Sequence, residues 1–334
     1  MSRFNRLLMT ATPPNNSTAG SSAPSPSSAP LRSNTGRRSF SGASVGIALT
    51  LLLSALPISS AWAQSQKVSV LYAGSLVNLM ERSVGPEFTK STGVAFQGYA
   101  AGSNKIANEI KSKLRRGDVF ISASPKVNDL LIGEANGNWV KWYVTFAESP
   151  LVIGYNPQSR FVPDLQTKRW DQALQAPGIR LGRTDPVLDP KGHFTVDLIQ
   201  HAATYYKEPD LLEKTLGTIQ NPAQVLPEET LVGRLQSGQL DAGFFYSTET
   251  SDLKIPYIVI PDPLKQKAQY TLTILNDAPD PASADQFVTF LLSAKGQALL
   301  KAHGIDIVAP KVSGDTATIP TALHSQLSQT AASQ

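Results

Sequence analysis

The chain has 334 residues, of which 41 % are hydrophobic and none is cysteine. Residues 1–63 contain five arginines and no acidic residue, which leaves 25 Lys and Arg against 26 Asp and Glu in the remainder. The length allows two domains or one large one. The lack of cysteine excludes disulfides, thiolate metal sites and a lipid anchor on an N-terminal cysteine. The nearly neutral remainder argues against nucleic-acid binding, which normally needs a basic face.

The N-terminal segment has the order of an export signal that follows a leader rich in Ser and Pro. A charged stretch, Asn34–Phe40, precedes an apolar core, Val45–Leu56, and Ala61-Trp-Ala63 has the small-x-small pattern of a cleavage site. We therefore expect residues 1–63 to be removed, and the mature chain to begin at Gln64 as a soluble periplasmic protein. A membrane anchor fits less well, because a spanning helix needs roughly 20 apolar residues. Arg37-Arg38 is typical of a twin-arginine signal but also of any signal peptide, so the export route stays open.

Strands that run directly into helices dominate the next part of the chain. The apolar strand Val68–Ala73 leads through Gly74-Ser75 into an amphipathic helix, Leu76–Phe88. A second strand, Val94–Tyr99, leads through Gly102-Ser103 into another helix, Lys105–Leu114. With a third strand over 118–122, this order predicts a parallel sheet with helical crossovers. Each Gly-Ser turn can be an ordinary helix cap or, because of its hydroxyl and free backbone N–H groups, a seat for an anion.

The second half repeats this plan. A strand at Ile179–Gly182 is followed by a loop and by a helix over His193–Tyr206, and Glu228-Glu229 precede a short helix, Thr230–Gln236. The next strand, Asp241–Tyr246, ends in a tyrosine. Two strands and a long helix over 282–300 follow. From Ser313 the composition becomes rich in Ser, Thr and Gln without periodicity, which predicts a flexible tail over 313–334.

Together these segments resemble the substrate-binding proteins of molybdate and tungstate ABC transporters. The resemblance covers about residues 67–310 and depends on the order and spacing of several short motifs. They are Tyr72-Ala-Gly-Ser-Leu76, Gly102-Ser103, Asp118-Val-Phe-Ile-Ser-Ala123, Asp185-Pro186 with Asp189-Pro-Lys-Gly192, Glu228-Glu-Thr230 with Leu235-Gln-Ser-Gly238, and Phe244-Phe-Tyr-Ser247.

The resemblance implies an α/β fold of the two-lobed, type II periplasmic-binding-protein class. Each lobe would be a mainly parallel sheet flanked by helices, with the ligand in the cleft between the lobes. Residues 67–149 plus 248–312 would form lobe 1, and residues 150–247 would form lobe 2. The resemblance also implies a monomer, without a cofactor and without enzymatic activity, that delivers molybdate or tungstate to an inner-membrane ABC permease.

The same resemblance implies a set of ligand contacts. In lobe 1 they are Ser75 and Ser103 with their glycines, Gly74 and Gly102. In lobe 2 they are Lys191, through its backbone N–H, and Tyr246. One type of binding protein in this family adds an aspartate and a glutamate that bond the metal, and these positions fall on Asp189 and on Glu229 or Glu228. Motif matching favours Glu229, whereas counting back from Tyr246 favours Glu228.

Electrostatics limits the role of these carboxylates. A dianion about 4 Å from a carboxylate is repelled by several kcal/mol at the effective dielectric of a protein. Carboxylates therefore belong in such a cleft only if they bond the metal itself, and otherwise they cap helices or face solvent. Neutral donors such as hydroxyls and helix N-termini suit a fully ionised anion.

Other functions find less support in the sequence. The four histidines, His193, His201, His303 and His324, have no metal-site spacing, and no nucleophile motif accompanies them, so an enzyme is not expected. A ferric-ion carrier is an alternative because such proteins use adjacent tyrosines, and Tyr205-Tyr206 is such a pair; packing at a helix end is the simpler role. Sulfate or another small anion is a further alternative, because helix N-termini do not distinguish tetrahedral anions by charge.

Overall fold

The computed structural model describes residues 66–329, except for the side chains of residues 325, 328 and 329. The predicted export signal and its cleavage site therefore lie outside the described residues. The strands are β1 (Lys67–Ala73), β2 (Ala95–Ala101), β3 (Val119–Ser122), β4 (Trp142–Tyr155), β5 (Leu181–Thr184), β6 (Val225–Leu226), β7 (Ala242–Tyr246), β8 (Tyr257–Val259), β9 (Lys267–Ile274) and β10 (Asp306–Gly314).

The α-helices alternate with these strands. They are α1 (Val77–Leu79), α2 (Gly85–Thr92), α3 (Ser103–Lys111), α4 (Pro125–Asp129), α5 (Val162–Thr167), α6 (Trp170–Ala173), α7 (Pro190–Tyr206), α8 (Leu211–Leu216), α9 (Glu228–Gln236), α10 (Ser247–Asp252), α11 (Pro281–Leu292), α12 (Ala294–Ala302) and α13 (Thr321–Gln329). Among the described residues, no helix is long and apolar enough to cross a membrane.

Strand β1 is the centre of the first part of the sheet. It pairs in parallel with β2 on one side and with β3 on the other. Leu71 and Tyr72, whose side chains point to opposite faces of the strand, are almost fully buried, as expected for a strand covered on both faces. Because β1 and β2 are in register from Lys67↔Ala95 to Ala73↔Ala101, the two Gly-Ser turns that follow them lie side by side.

The long strand β4 joins this part of the sheet to the second part. Its first half pairs antiparallel with β9 and β10, whereas Leu151–Tyr155 pair antiparallel with β7. The change of partner occurs at Pro150, where a ladder N–H is missing. There Ser149 Oγ lies 3.0 Å from Ser247 Oγ and accepts from the Thr248 N–H at 3.1 Å, so the two chain segments that cross between the parts are tied together.

The second part of the sheet again combines parallel strands with a helix that starts at the strand end. Strand β5 pairs in parallel with β6 and β7, and the loop after β5 leads into α7. The predicted α/β fold is thus confirmed, with one difference. The sheet is mixed rather than mainly parallel, because β4 and β9 pair antiparallel with their neighbours.

Two local predictions are wrong. The expected flexible tail is folded over residues 313–329, where β10 ends and α13 forms; Ile319 and Leu323 are buried, which supplies the packing that the polar composition concealed. The helix expected to end at Leu114 ends at Lys111, and Leu114 is 79 % exposed instead of lying on the buried face.

Candidate functional site

The two Gly-Ser turns lie side by side at the same edge of the sheet. Gly74 and Ser75 begin a three-residue 3-10 turn, whereas Gly102 is the N-cap of α3 and Ser103 is its first residue. Both serines are buried, with 8 % of Ser75 and none of Ser103 exposed. The helix after this turn runs from Val77 to Thr92 and contains a π-helical turn over Met80–Val84.

The side-chain oxygen of each serine has one hydrogen-bond partner within the protein. The Ala123 N–H donates to Ser103 Oγ at 3.1 Å, and Ser75 Oγ lies 3.0 Å from the hydroxyl of Tyr270 on β9. Tyr270 was not among the residues predicted from the sequence. Its contact with Ser75 spans 195 positions of the chain, so no local pattern could have indicated it.

Asp189 lies at the beginning of α7 as its N-cap. Its Oδ1 accepts from the Lys191 N–H at 2.8 Å and from Thr184 Oγ1 at 2.9 Å. The backbone N–H of Lys191, which was predicted to bind the ligand, is therefore used by the cap in this structure. Asp189 is 5 % exposed, and these two bonds fix its carboxylate at the entrance to the helix.

The side chain of Lys191 is the centre of the charged cluster. It is fully buried, and its Nζ lies 2.7 Å from Glu228 Oε1 and 2.7 and 2.9 Å from the two oxygens of Glu249. Glu249 was not among the residues predicted from the sequence. It is the third residue of α10 and accepts from the Tyr246 N–H at 2.8 Å, but a capping box is recognised in a sequence by Ser or Thr at the N-cap, and here the N-cap is a tyrosine.

The structure distinguishes the two neighbouring glutamates. Glu228 is 6 % exposed and points to Lys191, whereas Glu229 is exposed. Glu228 also explains why residue 74 is a glycine: a Cβ added at Gly74 would lie 2.3 Å from Glu228 Cγ. Counting back from Tyr246 thus gives the buried residue, Glu228, whereas motif matching gives the exposed one, Glu229.

Tyr246 ends β7 inside the same cluster. Its side chain is 1 % exposed, and its hydroxyl has no hydrogen-bond partner within residues 66–329. The ring packs edge-on against that of Tyr270, with centroids 6.3 Å apart. Neither Glu228 oxygen has a well-directed hydrogen bond in this part of the chain, although Oε1 is close to Lys191. Buried polar groups are normally paired, so the unpartnered Tyr246 hydroxyl marks a candidate place for a ligand.

Burial dominates the electrostatics of the cluster. It raises the pKa values of Asp189, Glu228 and Glu249, and Lys191 opposes this shift in all three. Burial by itself would lower the pKa of Lys191, but the three carboxylates together raise it, so the ammonium stays charged. Burial also raises the pKa of Tyr246, which therefore keeps its hydroxyl proton as a donor.

Two cavities adjoin Glu228 and Glu229. One, of about 250 Å³, is lined by Gly102, Lys105, Thr184 and Asp189 among others. The second, of about 230 Å³, is lined by Gly74, Ser75, Arg82 and Glu249 among others. Glu228 and Glu229 line both cavities, whereas Ser103, Lys191 and Tyr246 line neither.

Two residue types considered in the sequence lie apart from this cluster. His193 is half-exposed and pairs with Asp197 one helical turn further on α7. Tyr206 packs against Trp170 and lies under the Arg169 guanidinium, while its neighbour Tyr205 is 54 % exposed. The tyrosine pair therefore packs at a helix end, which removes the main support for a ferric-ion carrier.

Comparison with known proteins identifies the family of the chain. The model of the family described as bacterial extracellular solute-binding proteins matches residues 68–306. A Haloferax volcanii protein, provisionally named an ABC transporter molybdenum-binding protein, is 32 % identical over 268 residues, which cover 80 % of this chain and 79 % of the relative. The molybdate/tungstate-binding protein WtpA of Pyrococcus abyssi is 26 % identical over 301 residues, which cover 75 % and 87 %.

A solved structure confirms the fold. The periplasmic molybdate-binding protein of Azotobacter vinelandii matches with a TM-score of 0.58 and 19 % identity, over 73 % of this chain and all of that one. The predicted periplasmic-binding-protein fold is thereby confirmed. From the match over 68–306 and the similarity to the Haloferax protein, the chain belongs to the family of bacterial extracellular solute-binding proteins.

Proposed function

We propose that this chain captures molybdate or tungstate outside the cytoplasmic membrane and delivers it to the permease of an ABC transporter. The relatives from Haloferax and Pyrococcus carry names for this function. The observation on the chain itself that carries the proposal is the buried Tyr246 hydroxyl, which has no partner in the described part of the chain and belongs to a cluster with Lys191 and Glu228. A tetrahedral oxyanion would accept hydrogen bonds from the Tyr246 hydroxyl, from the hydroxyls of the two buried serines and from the ammonium group of Lys191.

Charge decides how the carboxylates take part. Lys191 contributes one positive charge, whereas Asp189, Glu228 and Glu249 contribute up to three negative ones, so a dianion entering the cluster meets repulsion of several kcal/mol from any carboxylate about 4 Å away. A direct bond from a carboxylate oxygen to the metal changes this repulsion into attraction. Glu228 suits this role because its Oε2 has no hydrogen-bond partner among residues 66–329, and Asp189 suits it because Thr184 and the helix hold it in place.

Calorimetry of the purified mature protein with molybdate, tungstate, sulfate, phosphate and ferric citrate tests the function. We expect one molybdate or tungstate per chain, with weaker binding of sulfate and phosphate and none of ferric citrate. Equal binding of sulfate would indicate a general anion carrier. Binding of ferric citrate alone would contradict the proposal.

Exchange of Ser75 or Ser103 for alanine should weaken molybdate and tungstate binding by about 1.5–3 kcal/mol each, the usual contribution of a hydrogen bond to a charged group. Ser103→Ala should also lower the melting temperature, because the buried Ala123 N–H loses its acceptor. Calorimetry and thermal melts of the ligand-free variants measure both effects. Lower melting temperatures with intact affinity would show that the serines only cap and pack.

The two-lobed division at 149/150 and 247/248 is part of the same proposal. Contacts across it include the Lys191–Glu249 pair, the Lys105 N–H bond to Leu188 O at 3.0 Å and the approach of Gly74 to Glu228. These contacts support a closed arrangement that opens about the crossing segments at Ser149 and Ser247. Small-angle scattering should give a smaller radius of gyration with saturating tungstate than without it, and an unchanged profile would contradict a hinge.

A further inference from the structure

Ser75 lies between a tyrosine and a cavity. Its Oγ is 3.0 Å from Tyr270 Oη on one side, and on the other side Ser75 lines the 230 Å³ cavity together with Glu228 and Glu249. Tyr270 is fully buried on β9 and does not line that cavity. Tyr270 can therefore act on a ligand in this cavity through Ser75.

The direction of the Tyr270–Ser75 hydrogen bond follows from the number of partners. Within residues 66–329, Ser75 Oγ is the partner that the structure gives the Tyr270 hydroxyl. If Ser75 donated, the buried Tyr270 proton would need a second acceptor. If Tyr270 donates, its proton is satisfied and the Ser75 proton is free to point into the cavity. The second arrangement is favoured because it leaves the free proton on Ser75, which lines the cavity, and not on Tyr270, which is fully buried and does not line it.

Ser103 has the same arrangement with a different donor. The Ala123 N–H can only donate, so Ser103 Oγ must be the acceptor of this 3.1 Å bond, and its own proton is free for another partner. The two serines at the edge of the sheet thus share a pattern in which a fixed donor occupies the oxygen from behind. For Ser75, a hydroxyl held in this way presents its hydrogen, and not its lone pair, to the cavity that it lines.

We propose that Tyr270 is a positioning residue for oxyanion binding, which donates its hydroxyl hydrogen to Ser75 so that Ser75 donates to the bound anion. This inference rests on the proposed function. Two hydrogen bonds in series polarise each other, so the Ser75 bond to the anion is stronger with Tyr270 behind it than without. The Tyr270 ring also packs edge-on against Tyr246, and a phenylalanine at position 270 would retain that contact.

A double-mutant cycle measured by calorimetry with molybdate and with tungstate tests this relay. We expect Tyr270→Phe to weaken binding about 3- to 10-fold, as for loss of a neutral hydrogen bond, and Ser75→Ala to weaken it about 10- to 100-fold. Adding Tyr270→Phe to Ser75→Ala should change the affinity by less than about 2-fold, because the serine that transmits the effect is absent. Tyr143→Phe is the matched control, since that hydroxyl donates to Asp129 at 2.7 Å and neither residue lines the two cavities.

These measurements distinguish failure of the Tyr270–Ser75 relay from failure of the proposed oxyanion-binding function. Equal effects of Tyr270→Phe in the wild-type and Ser75→Ala backgrounds would show that Tyr270 acts independently of Ser75 and would overturn the relay. Unchanged affinity with a lower melting temperature of the ligand-free Tyr270→Phe protein would also overturn it, because Tyr270 would then be structural. A wild-type protein that binds neither anion would overturn the proposed function, and the relay with it.

Discussion

Replacement of Lys191 by methionine is expected to weaken molybdate and tungstate binding by at least about 100-fold. Lys191 is fully buried between Glu228 and Glu249, and methionine has a similar length without the charge. Removing one partner of a buried ion pair costs about 3–5 kcal/mol because the other charge is left uncompensated. Here two carboxylates lose their counter-ion in the cluster that has to accept a dianion. Calorimetry at a temperature well below the melting transition measures the loss.

Two further variants separate the charge effect from general damage. Lys267→Met removes a lysine paired with Glu148 on the surface, and such exposed pairs contribute at most about 1 kcal/mol, so affinity should stay unchanged. Lys191→Met combined with Glu228→Gln should bind sulfate better than Lys191→Met alone, because one unpaired carboxylate is gone. Full affinity of Lys191→Met for tungstate would show that the ammonium has no part in anion binding.

Replacement of both Asp189 and Glu228 by their amides should lower affinity for tungstate and molybdate by at least about 10–100-fold. A loss of this size is usual when only the residues that hydrogen-bond to metal ligands are changed, and here the proposed ligands themselves are replaced. Sulfate affinity should stay the same or increase, because sulfate offers no metal to bond and the repulsion from two carboxylates is lost. Folding should be little affected at Asp189, since asparagine is also a competent N-cap. Calorimetry with the three anions measures this change in ranking.

Glu213→Gln is the control for the double amide variant. Glu213 lies in the first turn of α8, is exposed and lines neither cavity, so its replacement should leave all three affinities unchanged. If the double amide variant keeps the wild-type ranking of anions, Asp189 and Glu228 are caps and ion-pair partners only. The anion would then be held by hydrogen bonds and by Lys191.

Some of the candidate site residues follow from local patterns in the sequence. A strand followed by Gly-Ser and a helix indicated Ser75 and Ser103, whereas Asp189 was implied only by the resemblance to molybdate- and tungstate-binding proteins. The choice between Glu228 and Glu229 could not be made in this way, because adjacent residues at a helix start differ by about 100° in direction and a one-residue shift reverses the assignment. The structure places Glu228 inside.

The remaining residues of the cluster depend on tertiary contacts. Lys191 and Glu249 are 58 positions apart, and Ser75 and Tyr270 are 195 apart, so only the packing of α7, α10 and β9 brings them together. The role of Lys191 was predicted for its backbone N–H, whereas the structure uses that N–H for the Asp189 cap and buries the ammonium in the cluster. A buried lysine has no periodic signature, because its position reflects charge pairing rather than hydrophobic pattern.

A crystal structure of the mature protein with tungstate, measured at the tungsten absorption edge, tests the central claim most directly. We predict a single strong anomalous peak for tungsten in the cluster. The hydroxyls of Ser75, Ser103 and Tyr246 should lie within hydrogen-bonding distance of the oxyanion oxygens, and Glu228 should be turned from Lys191 towards the metal. Tungsten found elsewhere on the chain, or a cluster that keeps the Lys191–Glu228 pair and an unpaired Tyr246 hydroxyl at saturating tungstate, would contradict the account.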